Sequence, residues 1–290
     1  MLQCPNRRTF LLAALTAPFA LALGARASDN ASALFETLEG TAGGRLGVCA
    51  WNTADGRRIL YRAEERFPFC STFKVILAGA ILAHSARVDG FLQRQVHYTK
   101  NDLVTYSPVT EKHLTDGLTV AELCAAALQY SDNTASNLLM KLLGGPEAVT
   151  TFARSIGDRD FRLDRWETAL NSALPGDPRD TTSPVAMAQS LHALALGDSL
   201  AVAQREQLQA WLRGNTTGAK RIRAGVPTDW QVGDKTGTGD YGTTNDVAVI
   251  WPSAGGPIVL AVYYTQLAAD AKPRDDVIAA ATRIVVDSLR

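Results

Sequence analysis

The chain is poor in the residues that carry metal and redox chemistry, with four cysteines and four histidines in 290 residues. Cys4, Cys49, Cys70 and Cys124 stand singly, with no C-x-x-C and no Cys/His pair at metal-ligand spacing, so no metal or cofactor is indicated. His84, His97, His113 and His192 have no partner motif, which removes the usual base of a serine hydrolase. Basic and acidic residues balance at 29 each, leaving no surplus to hold nucleic acid. No apolar run reaches the ~18 residues of a membrane-spanning helix. Internal repeats, low-complexity tracts and disordered linkers are also missing.

What is present begins with a leader. Residues 1–27 carry Arg7 and Arg8, an apolar run from Leu11 to Leu23 and Ala25-Arg26-Ala27, the charged, apolar and small-residue parts of a signal peptide. Arg7-Arg8 before Thr9-Phe10-Leu11-Leu12 is similar to a twin-arginine leader, the alternative being an ordinary Sec leader. A periplasmic or secreted product starting near Ser28 is expected. Without Arg7, Arg8 and Arg26 it has 26 basic against 29 acidic residues, a formal charge of −3. Its three thiols persist in an oxidising compartment only if buried, and Cys49 and Cys124 lie in apolar patterns that read as core.

The remaining chain is long enough for one domain of two packed lobes. An amphipathic stretch, Ala31 to Leu38, precedes a hairpin at Arg45 to Trp51 and Arg57 to Tyr61. Thr72 to Ser85 is apolar on every side, the mark of a buried helix, with Ser71 at its start. Helical patterns follow at Val120 to Tyr130, Asn133 to Leu142, Pro146 to Ile156, Pro184 to Leu196 and Ala201 to Arg213. Gln231 to Thr238, Thr243 to Trp251 and Ile258 to Thr265 then read as strands joined by short turns, and Asp275 to Leu289 as a closing helix. The expected class is α+β: one antiparallel sheet completed by both chain ends (about 28–65 and 214–290) around a helical lobe (about 66–213).

Four strings carry chemistry. In Ser71-Thr72-Phe73-Lys74 the three-residue spacing puts serine and lysine on one helix face, where a buried lysine near a second cation such as Lys235 can act as a base. The helix start also offers free N–H groups beside Ser71. Ser131-Asp132-Asn133 falls between two helical patterns. Asn133 or Ser131 could cap the following helix, or Ser131 could pass a proton to a leaving nitrogen while Asn133 binds substrate. Lys235-Thr236-Gly237-Thr238 ends a strand with a cation and two hydroxyls suited to a carboxylate, and Gly237 permits close backbone approach. The backbone N–H groups of Ser71 and Thr238 are the expected oxyanion hole. Glu167 and Asn171 lie in Arg165 to Asp180, a stretch of Ω-loop length in which Glu167 could activate a water held by Asn171, with Arg165 and Asp180 pairing at the loop ends. Gly237 to Gly242 also matches G-x-G-x-x-G, but a strand pattern follows where the dinucleotide fingerprint needs a helix.

Taken together, these strings resemble the class A serine β-lactamases over essentially the whole mature chain. The resemblance implies a five-stranded antiparallel sheet flanked by the terminal helices plus an inserted helical lobe, with the site between them. It implies hydrolysis of penicillins and cephalosporins through a serine acyl-enzyme, giving antibiotic resistance, with Ser71, Lys74, Ser131 and Glu167 catalytic. Either Lys74 or Glu167 through water could be the base for acylation. Asn133, Asn171, Lys235, Thr236, Gly237, Thr238, Arg221 and Tyr106 would bind substrate, Tyr106 as cleft wall and Arg221 as the carboxylate-binding guanidinium. Asp132 and Asn137 would be structural, and the Glu167-Thr168 peptide bond cis. Expected partners are β-lactam substrates and β-lactamase inhibitors, with a monomeric enzyme and no cofactor, nucleic acid or membrane.

Departures concern substrate range. Cys124 faces Ala78, where many relatives have a second cysteine, so that disulfide cannot form. Cys70 precedes the nucleophile as in some carbapenem-hydrolysing relatives, but Gly239 stands where its partner would be, leaving carbapenem turnover open. A cell-wall DD-peptidase and a penicillin sensor share parts of the pattern but lack Glu167 with Asn171 or require membrane helices.

Overall fold

The structure, a computed structural model, describes residues 17–289, with side chains from Asn30 onward. Five strands form one wholly antiparallel sheet: β1 (Arg45–Asn52), β2 (Arg58–Tyr61), β3 (Gln231–Thr238), β4 (Thr244–Trp251) and β5 (Ile258–Thr265), in the spatial order β2-β1-β5-β4-β3. The two chain ends meet where β1 pairs with β5, Arg45 opposite Thr265 through Asn52 opposite Ile258.

Alternation along the strands feeds two cores, one on each face. On one face Leu46, Val48, Ala50, Leu260 and Val262 pack against α1 (Ala17–Ala42) and α8 (Asp275–Leu289). Ala31 and Phe35 lie one turn apart on α1, and Val277, Ile278, Ala281 and Val285 form the matching stripe on α8. On the other face Cys49, Val247, Val249, Val259, Ala261 and Tyr263 join the core of the helical part. Gly47 brings α6 (Pro184–Ala195) close, since a Cβ there would meet the Phe67 ring at 2.5 Å and Pro184 Cγ at 2.9 Å.

The helical part also contains α2 (Lys74–Ser85), α3 (Val120–Gln129), α4 (Asn133–Leu143), α5 (Pro146–Ser155) and α7 (Val202–Arg213). Helix α2 is buried at every position from Lys74 to Leu82, as its all-round apolar pattern requires. Its start differs from expectation. Ser71 sits in a 3₁₀ turn, Cys70–Phe73, and the α-helix begins only at Lys74. Helix α1 is also longer than the Ala31 to Leu38 pattern, because the Ala/Leu-rich stretch before it contains strong helix formers. Residues 1–16 of the expected leader, with Arg7 and Arg8, lie outside the described residues. No helix among the described residues is long and apolar enough to cross a membrane.

Candidate active site

Four segments converge on one buried cluster. The 3₁₀ turn presents Ser71, and its neighbour Cys70 takes a left-handed φ of +47°. The loop before α4 presents Ser131, also left-handed at +59°, and Tyr106 across from it has φ +64°. Such conformations disfavour side-chain-bearing residues and persist only where the surroundings impose them, so three of them around one cleft indicate backbone held for side-chain placement. Asp132, rather than Asn133 or Ser131, caps α4 by accepting Ala135 N–H. Its other contacts, with the N–H groups of Val109 and Thr110 and the Thr110 hydroxyl, pin the 104–110 loop to the helix start. Asn133 is the first helical residue, and its Nδ2 donates to Thr105 O.

At the centre Lys74 Nζ donates to Ser131 O at 2.8 Å and to Asn133 Oδ1 at 2.7 Å, and pairs with Glu167 Oε1 at 3.1 Å. Ser71 Oγ lies 3.5 Å from the same Glu167 oxygen. Ser71 and Lys74 share a face as their spacing required, yet they are linked through Glu167 rather than by a direct hydrogen bond. Lys235 Nζ donates to Ser131 Oγ at 2.9 Å and Thr236 O at 2.7 Å, so Ser131 lies between the two lysines. Burial lowers the pKa of Lys74 while Glu167 opposes the shift; burial and then the charge of Lys74 push Lys235 well below an ordinary lysine.

Glu167 is fixed from both sides. Asn137 accepts its N–H and donates to its C=O, both at 2.9 Å, and Asn171 Nδ2 donates to Oε2 at 2.6 Å. The Glu167-Thr168 peptide bond is cis. Asn171 Oδ1 is buried without a partner, an acceptor placed for a water beside the carboxylate. Arg165 and Asp180 form the expected ion pair at the loop base, where Asp180 Oδ1 also accepts the N–H groups of Asp164 and Arg165. Asp180 O in turn accepts Phe69 N–H at 3.1 Å, tying the Ω-loop to the turn that carries Ser71.

Along β3, a Cβ at Gly237 would lie 2.6 Å from Phe69 O, so the bare backbone there lets the turn that carries Ser71 close against the strand. Thr236 Oγ1 shares a 2.6 Å hydrogen bond with Thr217 Oγ1. Arg221 reaches the strand end, with Nη2 on Thr238 Oγ1 and Nη1 on Gly237 O and Asn245 O, all at 2.8 Å. Its Nε is held by Asp275 of α8 at 2.7 Å. Tyr106 is 56 % exposed at the rim. No local pattern marks Thr217, Asp275 or Asn215, the last a donor to buried Asp234, because each meets its partner only after folding. Asn137 carried only a structural expectation; its two bonds make it the direct holder of Glu167.

Cys49, Cys70 and Cys124 are free and buried, and burial raises all three thiols, Cys49 to about 12. A Cβ at Gly239 would fall 2.6 Å from Cys70 Sγ, so the missing partner of Cys70 is a matter of one side chain. An apolar cavity of about 480 Å³ on another side of the Ω-loop holds none of the cluster residues. The arginines lining it, Arg45 and Arg66, are already bonded to Glu65 and to Asp160 O.

Residues 30–289 match the family described as "Beta-lactamase enzyme family". The chain belongs to that family. It is 55 % identical to Beta-lactamase OXY-1 of Klebsiella oxytoca over the full length of both chains. It is also 55 % identical to the "Carbapenem-hydrolyzing beta-lactamase KPC" of Klebsiella oxytoca, covering 98 % of this chain and 97 % of that protein. The solved β-lactamase of Desulfarculus baarsii superposes with a TM-score of 0.89 at 58 % identity, covering 90 % of this chain and 98 % of that one.

The loop-base ion pair is directly testable. Asp180→Asn is expected to lower stability by about 1–3 kcal/mol, the cost of weakening a buried charged hydrogen bond, and to slow turnover by loosening Glu167. Unchanged thermal melting and unchanged turnover would remove the clamp from this account.

Proposed function

We propose that this β-lactamase hydrolyses the lactam ring of penicillins and cephalosporins through an acyl-enzyme on Ser71, and so confers resistance to them. The observation that carries the reading is the place of Glu167, within 3.5 Å of Ser71 Oγ and held by Asn137 and Asn171. A carboxylate there can direct water onto an acyl group carried by Ser71, which a protein that merely traps its ligand has no use for.

Ser71 Oγ attacks the lactam carbonyl. The oxyanion is received by the N–H groups of Ser71 and Thr238, the C–N bond breaks, and Ser131 hands its proton to the leaving nitrogen. Ser131 suits this relay because Lys235 and Lys74 both reach its hydroxyl and can restore the proton. The proton taken from Ser71 passes from Glu167 through Lys74 to Ser131, which leaves Glu167 ionised again; Glu167 then takes a proton from water, the hydroxide attacks the acyl carbon, and Ser71 Oγ leaves with that proton returned to it by Glu167. For the first step, Lys74 Nζ has three oxygen acceptors within 3.1 Å, Ser131 O, Asn133 Oδ1 and Glu167 Oε1, and Ser131 Oγ as a longer fourth at 3.5 Å, surroundings that suit an ammonium ion. That resting geometry favours Glu167 over Lys74 as the acceptor of the Ser71 proton.

Lys235, Arg221, Thr236 and Thr238 receive the substrate carboxylate, Gly237 lets the strand lie close to the nucleophile, Asn133 binds the acylamino group, and Tyr106 forms the outer wall. The steps use side chains and water alone. Mechanism-based inhibitors would enter the same cluster. The enzyme acts as a monomer in the periplasm or outside the cell, after removal of residues 1–27. Carbapenem turnover is an extension supported by Cys70 and by the likeness to the carbapenem-hydrolysing relative.

Mass spectrometry of the mature protein in excess benzylpenicillin, with product followed in parallel, tests the reading. Many turnovers with little lasting adduct are expected; a stoichiometric persistent adduct on Ser71 would instead indicate a peptidase or a sensor. The lowered pKa of Lys235 gives a second expectation. A cation whose pKa is depressed loses its charge at lower pH than a solvated lysine, so KM for a carboxylate-bearing substrate rises as pH increases through that point. Lys235→Arg, which holds its proton, is expected to flatten this rise, and an identical pH profile in that variant would contradict the assignment.

A further inference from the structure

The loop that carries Arg221 is fastened to the sheet by two buried acids. Asp234 of β3 takes the Arg223 guanidinium at 2.7 Å and the Asn215 amide, so each of its oxygens is used. Asp246 of β4 is equally buried but accepts a single protein hydrogen bond, from Ile222 N–H to Oδ2 at 3.0 Å; its Oδ1 has no partner. The strands pair Thr236 with Asp246 and Asp234 with Ala248, so the two acids lie on the same face, two residues apart in register. An ionised carboxylate with one bare oxygen beside a second buried carboxylate is a costly arrangement, whereas an uncharged acid bonded to a buried water is not. Burial, and then the charge of Asp234, push the pKa of Asp246 well up, against the weaker pull of Arg221, the Ile222 N–H and Lys235.

Arg221 has five N–H donors and spends four of them on Asp275, Gly237 O, Asn245 O and Thr238 Oγ1. Where its guanidinium lies depends on where the backbone at 221–222 is fixed, and Asp246 is the side chain that holds Ile222 N–H. We propose that Asp246 is a positioning residue for the substrate carboxylate: through Ile222 N–H it sets the place of Arg221, whose remaining guanidinium N–H is left for the substrate. This rests on the reading of Arg221 given above. The chemistry needed at residue 246 is therefore a short neutral acceptor, not a negative charge.

The test compares Asp246→Asn, Asp246→Leu and Asp246→Thr with Arg221→Ala, using benzylpenicillin and its methyl ester. Asp246→Asn keeps an acceptor and no charge, and its KM and kcat are expected to stay near those of the unaltered enzyme. Asp246→Leu and Asp246→Thr lose the acceptor at that reach. KM for the free acid is expected to rise about tenfold with kcat little changed, the signature of lost binding common to ground and transition states, while the ester is unaffected. Asp246→Thr carries the comparison should Asp246→Leu not fold. A folded Leu or Thr variant with unaltered KM, or an Asn variant as impaired as the Leu one, overturns the proposal. If Arg221→Ala raises KM and the Leu and Thr variants do not, only the role of Asp246 fails; if Arg221→Ala also leaves KM unaltered, the carboxylate reading fails as well.

Discussion

The ion pair between Lys74 and Glu167 is the interaction around which the rest of the site is arranged. Both side chains are fully shielded from solvent at 3.1 Å, and taking two charges out of water is favourable only where further hydrogen bonds complete their shells. Here the completing groups are the site itself. Ser131 O and Asn133 finish the ammonium, Asn171 takes the second carboxylate oxygen, and Asn137 fixes the backbone behind it. They come from two stretches of chain, residues 131–137 and the Ω-loop, so the pair forms only when α2, the start of α4 and the Ω-loop have docked. Removing one partner of a buried pair costs about 3–5 kcal/mol, which makes the cluster a structural centre as well as a chemical one.

Around that centre the two faces of β3 have different tasks. Lys235 points into the cluster and bonds Ser131, while Asp234 and Thr236 face the loop that supplies Thr217 and Arg221. The strand thus joins the lysine–serine cluster to the loop that carries Arg221. The helical core holds α2 rigid beneath Ser71, and α8 reaches across the sheet to anchor Arg221 through Asp275. The cations on this side of the site are held by acids, Arg221 by Asp275 and Arg223 by Asp234.

Much of this was legible in the sequence because its signals are local. The strands Gln231–Thr238 and Ile258–Thr265 and the helix Asp275–Leu289 fall where hydrophobic pattern placed them, helped by Gly239 after the first, Pro257 before the second and Pro273-Arg274 before the third. The four strings led to the cluster because helix and strand spacing dictates which of their residues share a face. Less visible was anything set by contact between distant segments. The 3₁₀ turn at Ser71 lies where Phe69 O closes on Gly237, and Asp132 caps α4 while also holding Val109 and Thr110, contacts that no local pattern records. Asn215, Thr217 and Asp275 belong to no string, and the bare oxygen of Asp246 becomes apparent only once its neighbours are in place.

The central claim is that Glu167, held against Lys74, releases the acyl group from Ser71. Glu167→Ala leaves Lys74 its bonds to Ser131 O and Asn133, so the variant is expected to fold with its stability lowered by about 3–5 kcal/mol while the water loses its base. Time-resolved mass spectrometry of that variant with benzylpenicillin tests the claim most directly. The account predicts one acyl group accumulating on Ser71 and remaining there as turnover collapses; release at the rate of the unaltered enzyme would contradict it.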